Sequence, residues 1–504
     1  MKTYSRFFLL IFLFLFFISC NQKPNPVVLS SKDLFAQKCA LCHVAPTVDV
    51  LPKHLWTKFF PELGAKMGVL ESGYNPLKGM NVNEIDAVIE SEYYTRNQIV
   101  TNEQWTQLKE YIIQNAPDKI DNYQRSEHQF NNLDAFKPKK INLDNNPGTF
   151  ITLLSFQNDV LYYADLFGGF YTYDFKSNQS SEYKRFENAI VWYQQLKNGD
   201  EIFTEIGKLD PTEQRLGKLW IQKENQEIEL IASELHRPVH TLSQDLNKDG
   251  SIEHTISEFG HLTGSISQIT SNGTSDLLWP NPGAIQTQMH DANKDGLMVL
   301  VSLVAQGDEA IVSFIQQKNG DFKPEYLMRY PPNYGSSWFE MKDFDGDGDL
   351  DLITANGDNA DLTYTQKPYH GMRISLNDGD GNFEEAFFYQ LNGATRLVAE
   401  DFDQDNDIDI ALVSTFPDYE NYPEMAFIYL ENLGDFNFKE NIIEDVNLGR
   451  WFLLDKGDID NDGDIDILIS SFTYTFSPVP DEFQKAWEEN NVDLILLENN
   501  LFNY

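Results

Sequence analysis

The 504-residue chain is poor in cysteine, poor in positive charge and almost free of long apolar runs. Three cysteines exclude a disulfide framework. Lys and Arg number 38 against 78 Asp and Glu, a net charge of −40. That balance excludes nucleic acid as a partner, because phosphate contacts need clustered basic side chains, and it disfavours anionic headgroups. The sequence contains no nucleophile elbow, no Ser/His/Asp order and no phosphate loop. What is plentiful is core material: 41% hydrophobic and 13% aromatic residues make a globular chain, not an acidic disordered one.

The one apolar run, Phe7 to Ile18, follows Lys2 and Arg6. Its twelve residues fall short of the ~20 that span a bilayer. It closes on Ser19-Cys20, which resembles a bacterial lipobox. That resemblance implies a signal peptide over 1–19, lipid on Cys20 and a tether over 20–30, placing the chain in the cell envelope. Asn21-Gln22-Lys23-Pro24 lacks an acidic export cluster, so an outer-membrane anchor facing the periplasm is expected.

The other two cysteines lie in Cys39-Ala40-Leu41-Cys42-His43. One helical turn separates the thiols, and the next residue offers an imidazole, the spacing of covalent haem c attachment. A zinc half-site and a redox dithiol are the competing readings. Zinc would want further Cys or His near by, and a redox pair usually opens a helix after a strand. Residues 31–118, with a Trp56 helix and the capped run Thr101–Ile113, resemble a small class I cytochrome c. The resemblance implies His43 as one axial ligand and Met67 as the other, with Met80 as alternative and His54 behind both.

Residues 119–147 are polar and read as a linker. Beyond them an acidic loop recurs five times, starting at Asp245, Asp291, Asp343, Asp401 and Asp458, at steps of 46, 52, 58 and 57 residues. Each loop runs towards a β-branched strand that ends in a small-residue turn about twelve residues on, and two earlier turns, Ala164–Gly168 and Thr204–Gly207, repeat this without the acidic loop. Seven units of 40–60 residues predict a β-propeller. Residues 148–504 resemble the FG-GAP/VCBS repeat family. The expected architecture is multidomain: a small all-α cytochrome c domain followed by an all-β seven-bladed propeller.

Carboxylates at loop positions 1, 3, 5 and 9 around a tight turn suit Ca²⁺, which takes 6–8 oxygens. Residues at position 12 are not Glu and strands follow, so these are not EF-hands. The candidate ligands are Asp245, Asn247, Asp249 and Glu253; Asp291, Asn293 and Asp295; Asp343, Asp345, Asp347 and Asp351; Asp401, Asp403, Asp405 and Asp409; and Asp458, Asp460, Asp462 and Asp466. Val299 leaves the second loop without its last carboxylate, so four or five sites are expected. Seventeen carboxylates stand at these positions, so part of the −40 charge reads as ligand.

Arg237, His240, Trp338, Arg396, Arg450 and Trp451 precede the acidic loops and are candidate ligands at the channel mouth. The functional expectation is a lipid-anchored haem c electron-transfer protein. Its calcium-stabilised propeller docks a redox partner or oxidises a small substrate, passing electrons to haem. The alternative is a calcium-dependent glycan- or protein-binding adhesion propeller with a subsidiary haem region.

Overall fold

A computed structural model of the chain describes residues 29–120, 130–144, 146–224, 226–270, 273–290, 297–360, 363–444 and 446–501. The signal segment with Cys20, and the loop residues Asp291, Asn293 and Asp295, lie outside the described residues.

Seven sheets, six of four strands and one of five, follow one another along the chain, antiparallel except for one short edge strand of the five-stranded sheet. They form a seven-bladed β-propeller. Blade 1 spans Ile151–Arg185, blade 2 Ile190–Leu235, blade 3 Pro238–Trp279, blade 4 Ala284–Arg329, blade 5 Ser336–Gln390, blade 6 Ala394–Ile442 and blade 7 Trp451–Asn499. Each blade begins with its innermost strand. The second strands are buried along their length, as in Asp351–Asn356, Asp409–Ser414 and Asp466–Ser471. Burial on both faces explains their β-branched runs. The fourth strands, such as Phe322–Arg329, are mostly exposed and polar.

Two segments of the expected linker are strands. Phe136–Ile141 is the outermost strand of blade 7, paired antiparallel with Leu494–Asn499, so the two ends of the propeller close on each other. Asn131–Asn132 adds a short parallel strand to the outer edge of blade 6. The propeller therefore starts ahead of residue 148. Lys137 to Lys140 look like linker because an outermost strand faces solvent, and Pro138 is tolerated at such an edge.

The expected two-part fold class, an all-α cytochrome c domain ahead of the propeller, is corrected by the structure. The propeller accounts for most of the chain. The described N-terminal segment contributes short helices joined by turns: α1 (Ser31–Cys39), α2 (Lys53–Lys66), α3 (Val82–Glu90) and α4 (Asn102–Asn115). Only α2 and α4 reach 14 residues, and Gly68, Gly73 and Gly79 take positive φ in the intervening turns. Leu34, Trp56, Phe60, Trp105, Leu108 and Ile112 give these helices a small shared core. A fifth helix, α5 (Asp481–Asn490), interrupts blade 7.

The helical segment rests on the propeller. Thr212 donates to Glu84 Oε1 at 3.0 Å and Tyr369 to the Val50 carbonyl at 3.0 Å. Both residues belong to turns between second and third strands, in blades 2 and 5. The acidic loops join first and second strands, so in these antiparallel sheets they lie on the opposite face.

Candidate functional sites

Four of the acidic loops are described, and they share one internal design. In the third, Asp343 Oδ2 accepts from Gly348 N at 3.1 Å, Asp345 Oδ1 from Asp347 N at 3.2 Å, and Asp347 Oδ1 from Asp349 N at 2.9 Å. These Asx turns fold the loop, with Gly346 and Gly348 at positive φ. In the fourth, Asn406 takes the glycine place at φ 75° and donates to Asp401 Oδ2 at 3.0 Å. In the fifth, Asp460 and Asp462 accept from Asp462 N and Asp464 N, each at 3.2 Å. In the first, Asp249 N reaches Asn247 Oδ1 at 2.8 Å, Asp245 accepts from Gly250 N, and Glu253 from Leu246 N.

The ninth-position carboxylates are buried, and their oxygens hold backbone. Asp351 accepts from Phe344 N and Asn377 N, both at 2.8 Å. Asp466 repeats this with Ile459 N and Asn499 N, both at 2.8 Å. Asp409 accepts from Asn432 N at 2.8 Å and the Tyr429 hydroxyl at 2.7 Å. The side chains of Asn377, Asn432 and Asn499 donate to the carbonyls of Leu350, Ile408 and Ile465. These three asparagines lock each loop to its third strand and were missed in the sequence. The signal that marks them is the Asn that ends the third strand in blades 5, 6 and 7.

Three groups bring ligand-type oxygens within 4.8 Å of one another: Asp343, Asp345 and Asp351; Asp401, Asp403 and Asp405; and Asp458, Asp460 and Asp462. Asp343 Oδ1 and Asp458 Oδ1 are buried without a hydrogen bond. An orphaned buried carboxylate oxygen is costly, and a hard cation would satisfy it. Burial and the neighbouring aspartates push Asp409 and Asp466 up to about 7. The Asp245 loop, with Asn247, forms no such group among the described residues.

Every innermost strand carries a bulge after its first residue. The extra residue sets which side chains enter the channel. Position three of each inner strand, the first paired residue past the bulge, is Leu153, Trp192, His240, Gln286, Trp338, Arg396 and Leu453 in blades 1 to 7. Trp192 meets His240 with ring centroids 4.1 Å apart, and Arg396 stacks on Trp338 at 3.6 Å. Burial, together with the Arg396 charge, lowers His240 to about 3, although blades 3 and 6 are not neighbours. These side chains therefore converge within the channel. Two residues on, Gln194, Gln288, Glu340 and Asp455 bond to the backbone of the next inner strand.

Three of the six expected channel residues lie elsewhere. Trp451 occupies position one, is fully buried and donates to the Val446 carbonyl at 2.6 Å. Arg450 stacks on Phe476 and donates to Thr415 O, Tyr474 O and Ser477 Oγ. Arg237 clamps the carbonyls of Lys208, Leu209 and Gly260. All three are structural residues that hold blade turns.

In the helical segment, Cys39 ends α1 half-buried and Cys42 is exposed one turn on, both as free thiols. Burial, with Cys42 beside it, pushes the Cys39 thiol up to about 12. His43 Nδ1 lies 2.8 Å from the Val44 carbonyl oxygen. That contact fixes the proton on Nδ1 and leaves the Nε2 lone pair for a metal. Burial lowers the His43 pKa, while Asp308 of blade 4 raises it and Lys66 and Arg329 lower it. The motif thus faces the propeller and the end of α2. Met67 caps that end half-buried, Met80 sits in the turn before α3, and His54 is exposed.

Two open clefts lie beside each other on the outer surface. One of 520 Å³ is lined by Phe150, Tyr474, Gln484 and Trp487, and one of 390 Å³ by Phe167, Asn188, Lys208 and Tyr474.

Residues 291–354 match the FG-GAP-like repeat family, a segment centred on blade 4 and the acidic loop of blade 5. No curated protein matches the chain. Among solved structures, the N-terminal domain of Nup159 is 12% identical, covers 75% of this chain and 99% of that one, and gives a TM-score of 0.39. An auxiliary nutrient binding protein from Bacteroides thetaiotaomicron is 11% identical over 55% of this chain and 74% of that one, at 0.36. An ancestral GH74 enzyme is 8% identical over 67% and 50%, at 0.41.

Proposed function

We propose that the chain is an exported, lipid-anchored electron-transfer protein. In this reading Cys39 and Cys42 hold haem c covalently, His43 is an axial ligand, and a calcium-stabilised propeller docks the redox partner or substrate. The observation that carries it is the His43 arrangement: Nδ1 engaged by Val44 O at 2.8 Å, with free thiols immediately before it. Haem bound there would supply one-electron chemistry. Asp308 and Arg329, which pair at 2.6 Å, set the charge around His43 from the propeller side. Met67, at the end of α2, would be the second residue to hold the iron, with Met80 as the alternative. The orphaned Asp343 and Asp458 oxygens support calcium as a structural ion. Lys2, Arg6 and the Ser19-Cys20 junction support export and lipid attachment.

The test is an optical redox titration of the full chain made with the c-type maturation apparatus. A reversible one-electron change in a bound chromophore, lost in Cys39→Ser/Cys42→Ser, is expected. A colourless product from the same cells would overturn the reading.

The aromatic lining of the two clefts, with Phe167 65% exposed, favours a second reading: a glycan- or protein-binding propeller. Binding that leaves the chromophore potential unmoved supports it.

A further inference from the structure

Among the ring residues of the channel, polar groups outnumber their partners. The indole N–H of Trp192 and of Trp338 is buried with no acceptor, and Gln286 Oε1 is buried with no donor. Gln286 is only 6% exposed. The Arg396 guanidinium makes no hydrogen bond and no ion pair among the described residues; it lies over the Trp338 ring, and Glu340 and Asp455 act on its charge without bonding to it. Burial lowers its pKa to about 9, which leaves it charged at neutral pH. Buried donors without acceptors cost stability, and a charged one costs most.

The donors form a set. Arg396 offers a planar fork, held flat by its stack on Trp338. Trp192 contributes a second indole from across the ring, positioned by His240. His240 stays neutral, so Arg396 is the one cation of this donor set. One layer away the charges are already matched: Lys456 lies 3.0 Å from Glu400 and 3.7 Å from Glu340, and Lys342 3.0 Å from Glu400. Glu340 also accepts from Ala399 N. Glu340 is therefore tied by a hydrogen bond and an ion pair, and with Asp455 it acts on Arg396 through space without bonding to it. The Trp192, Trp338 and Arg396 side chains are each partly exposed, which gives a solute an approach to the ring, while the two indole nitrogens themselves are buried.

We infer that this ring is a binding site for a small carboxylate-bearing solute. Arg396 takes the carboxylate edge-on through two N–H groups, and the indole N–H groups of Trp192 and Trp338 complete its oxygens. Gln286 accepts from a hydroxyl or amide on the same solute. The assignment stands with or without haem on the helical segment.

The test uses the purified full chain in calcium, with acetate and malonate as probes against chloride at equal ionic strength. Tryptophan emission is read together with thermal unfolding. A saturable emission change and a raised unfolding temperature with a carboxylate, absent with chloride, are expected. Arg396→Gln should weaken that response roughly tenfold or more, the loss of a charge-assisted pair. Trp338→Phe keeps the stacking face and removes one N–H, so it gives a second, milder loss if Arg396→Gln does not fold. A response equal in chloride, no response to any carboxylate, or an unchanged response in both variants overturns the assignment. Saturation by inorganic phosphate alone overturns the carboxylate class.

Discussion

Phe136 stands directly opposite Asn499 across the seam where the propeller closes. The two residues belong to the first and last strands of the ring. Phe136 is buried against Phe402 and Tyr429, at 5.9 and 5.3 Å between ring centroids. Asn499 meanwhile donates to Phe402 O at 2.8 Å and to Ile465 O at 3.1 Å. One pair thus joins ring closure, the blade 6–7 core and the last acidic loop.

Phe136→Ala should cost about 3–5 kcal/mol, the range for emptying a buried aromatic site. Denaturant unfolding of the full chain measures it. A loss below about 1 kcal/mol would mean that the seam does not carry the ring.

Calcium should raise the unfolding temperature, and chelation should lower it. With the ion at a hundred times its dissociation constant, each intact site contributes about 2.7 kcal/mol. Asp343→Asn with Asp458→Asn removes two of the first-position carboxylates and should remove about half of the calcium response, the share of two sites among the four or five expected. Asn377→Ala should reduce stability even without calcium, because its side chain ties the loop to Leu350 O.

Acidification should stabilise the chain over a defined window. Burial raises Glu309 to about 7, and Asp455 and Asp493 to about 6. The folded state therefore binds more protons than the unfolded one between the ordinary carboxylate range and these values. Stability from this source is greatest below pH ~4 and declines as pH rises to ~7, then levels. Glu309 is held by Ser336 N and Oγ, at 3.0 and 2.8 Å, so Glu309→Gln should flatten part of that slope. Unfolding free energies from pH 5 to 8, in chelator, provide the check.

The seven units were legible because blades repeat local chemistry: Asp and Asn at loop positions in five of them, and in all seven a buried second strand ending in a small-residue turn. Ring closure was not legible. Phe136–Ile141 has buried residues at its two ends alone, and only the ring as a whole gives it a partner. The channel set was half legible. His240, Trp338 and Arg396 reach the channel, but a single bulge residue turns Trp451 into the core, and two-residue alternation does not reveal a bulge. Arg237 and Arg450 bind carbonyls of their own neighbourhood, a role with no sequence signature. The cytochrome-like Trp and Cys spacings suggested an independent all-α domain, whereas the fold is dominated by the propeller on which the short helices rest.

Covalent haem at Cys39 and Cys42 is the claim on which electron transfer depends. Intact-mass measurement of the full chain, matured in cells that attach haem c, tests it most directly. One haem added per chain, lost in Cys39→Ser/Cys42→Ser and kept in Met67→Ala, is the expected result. A wild-type mass without haem, from cells that mature a control haem c protein, would contradict it.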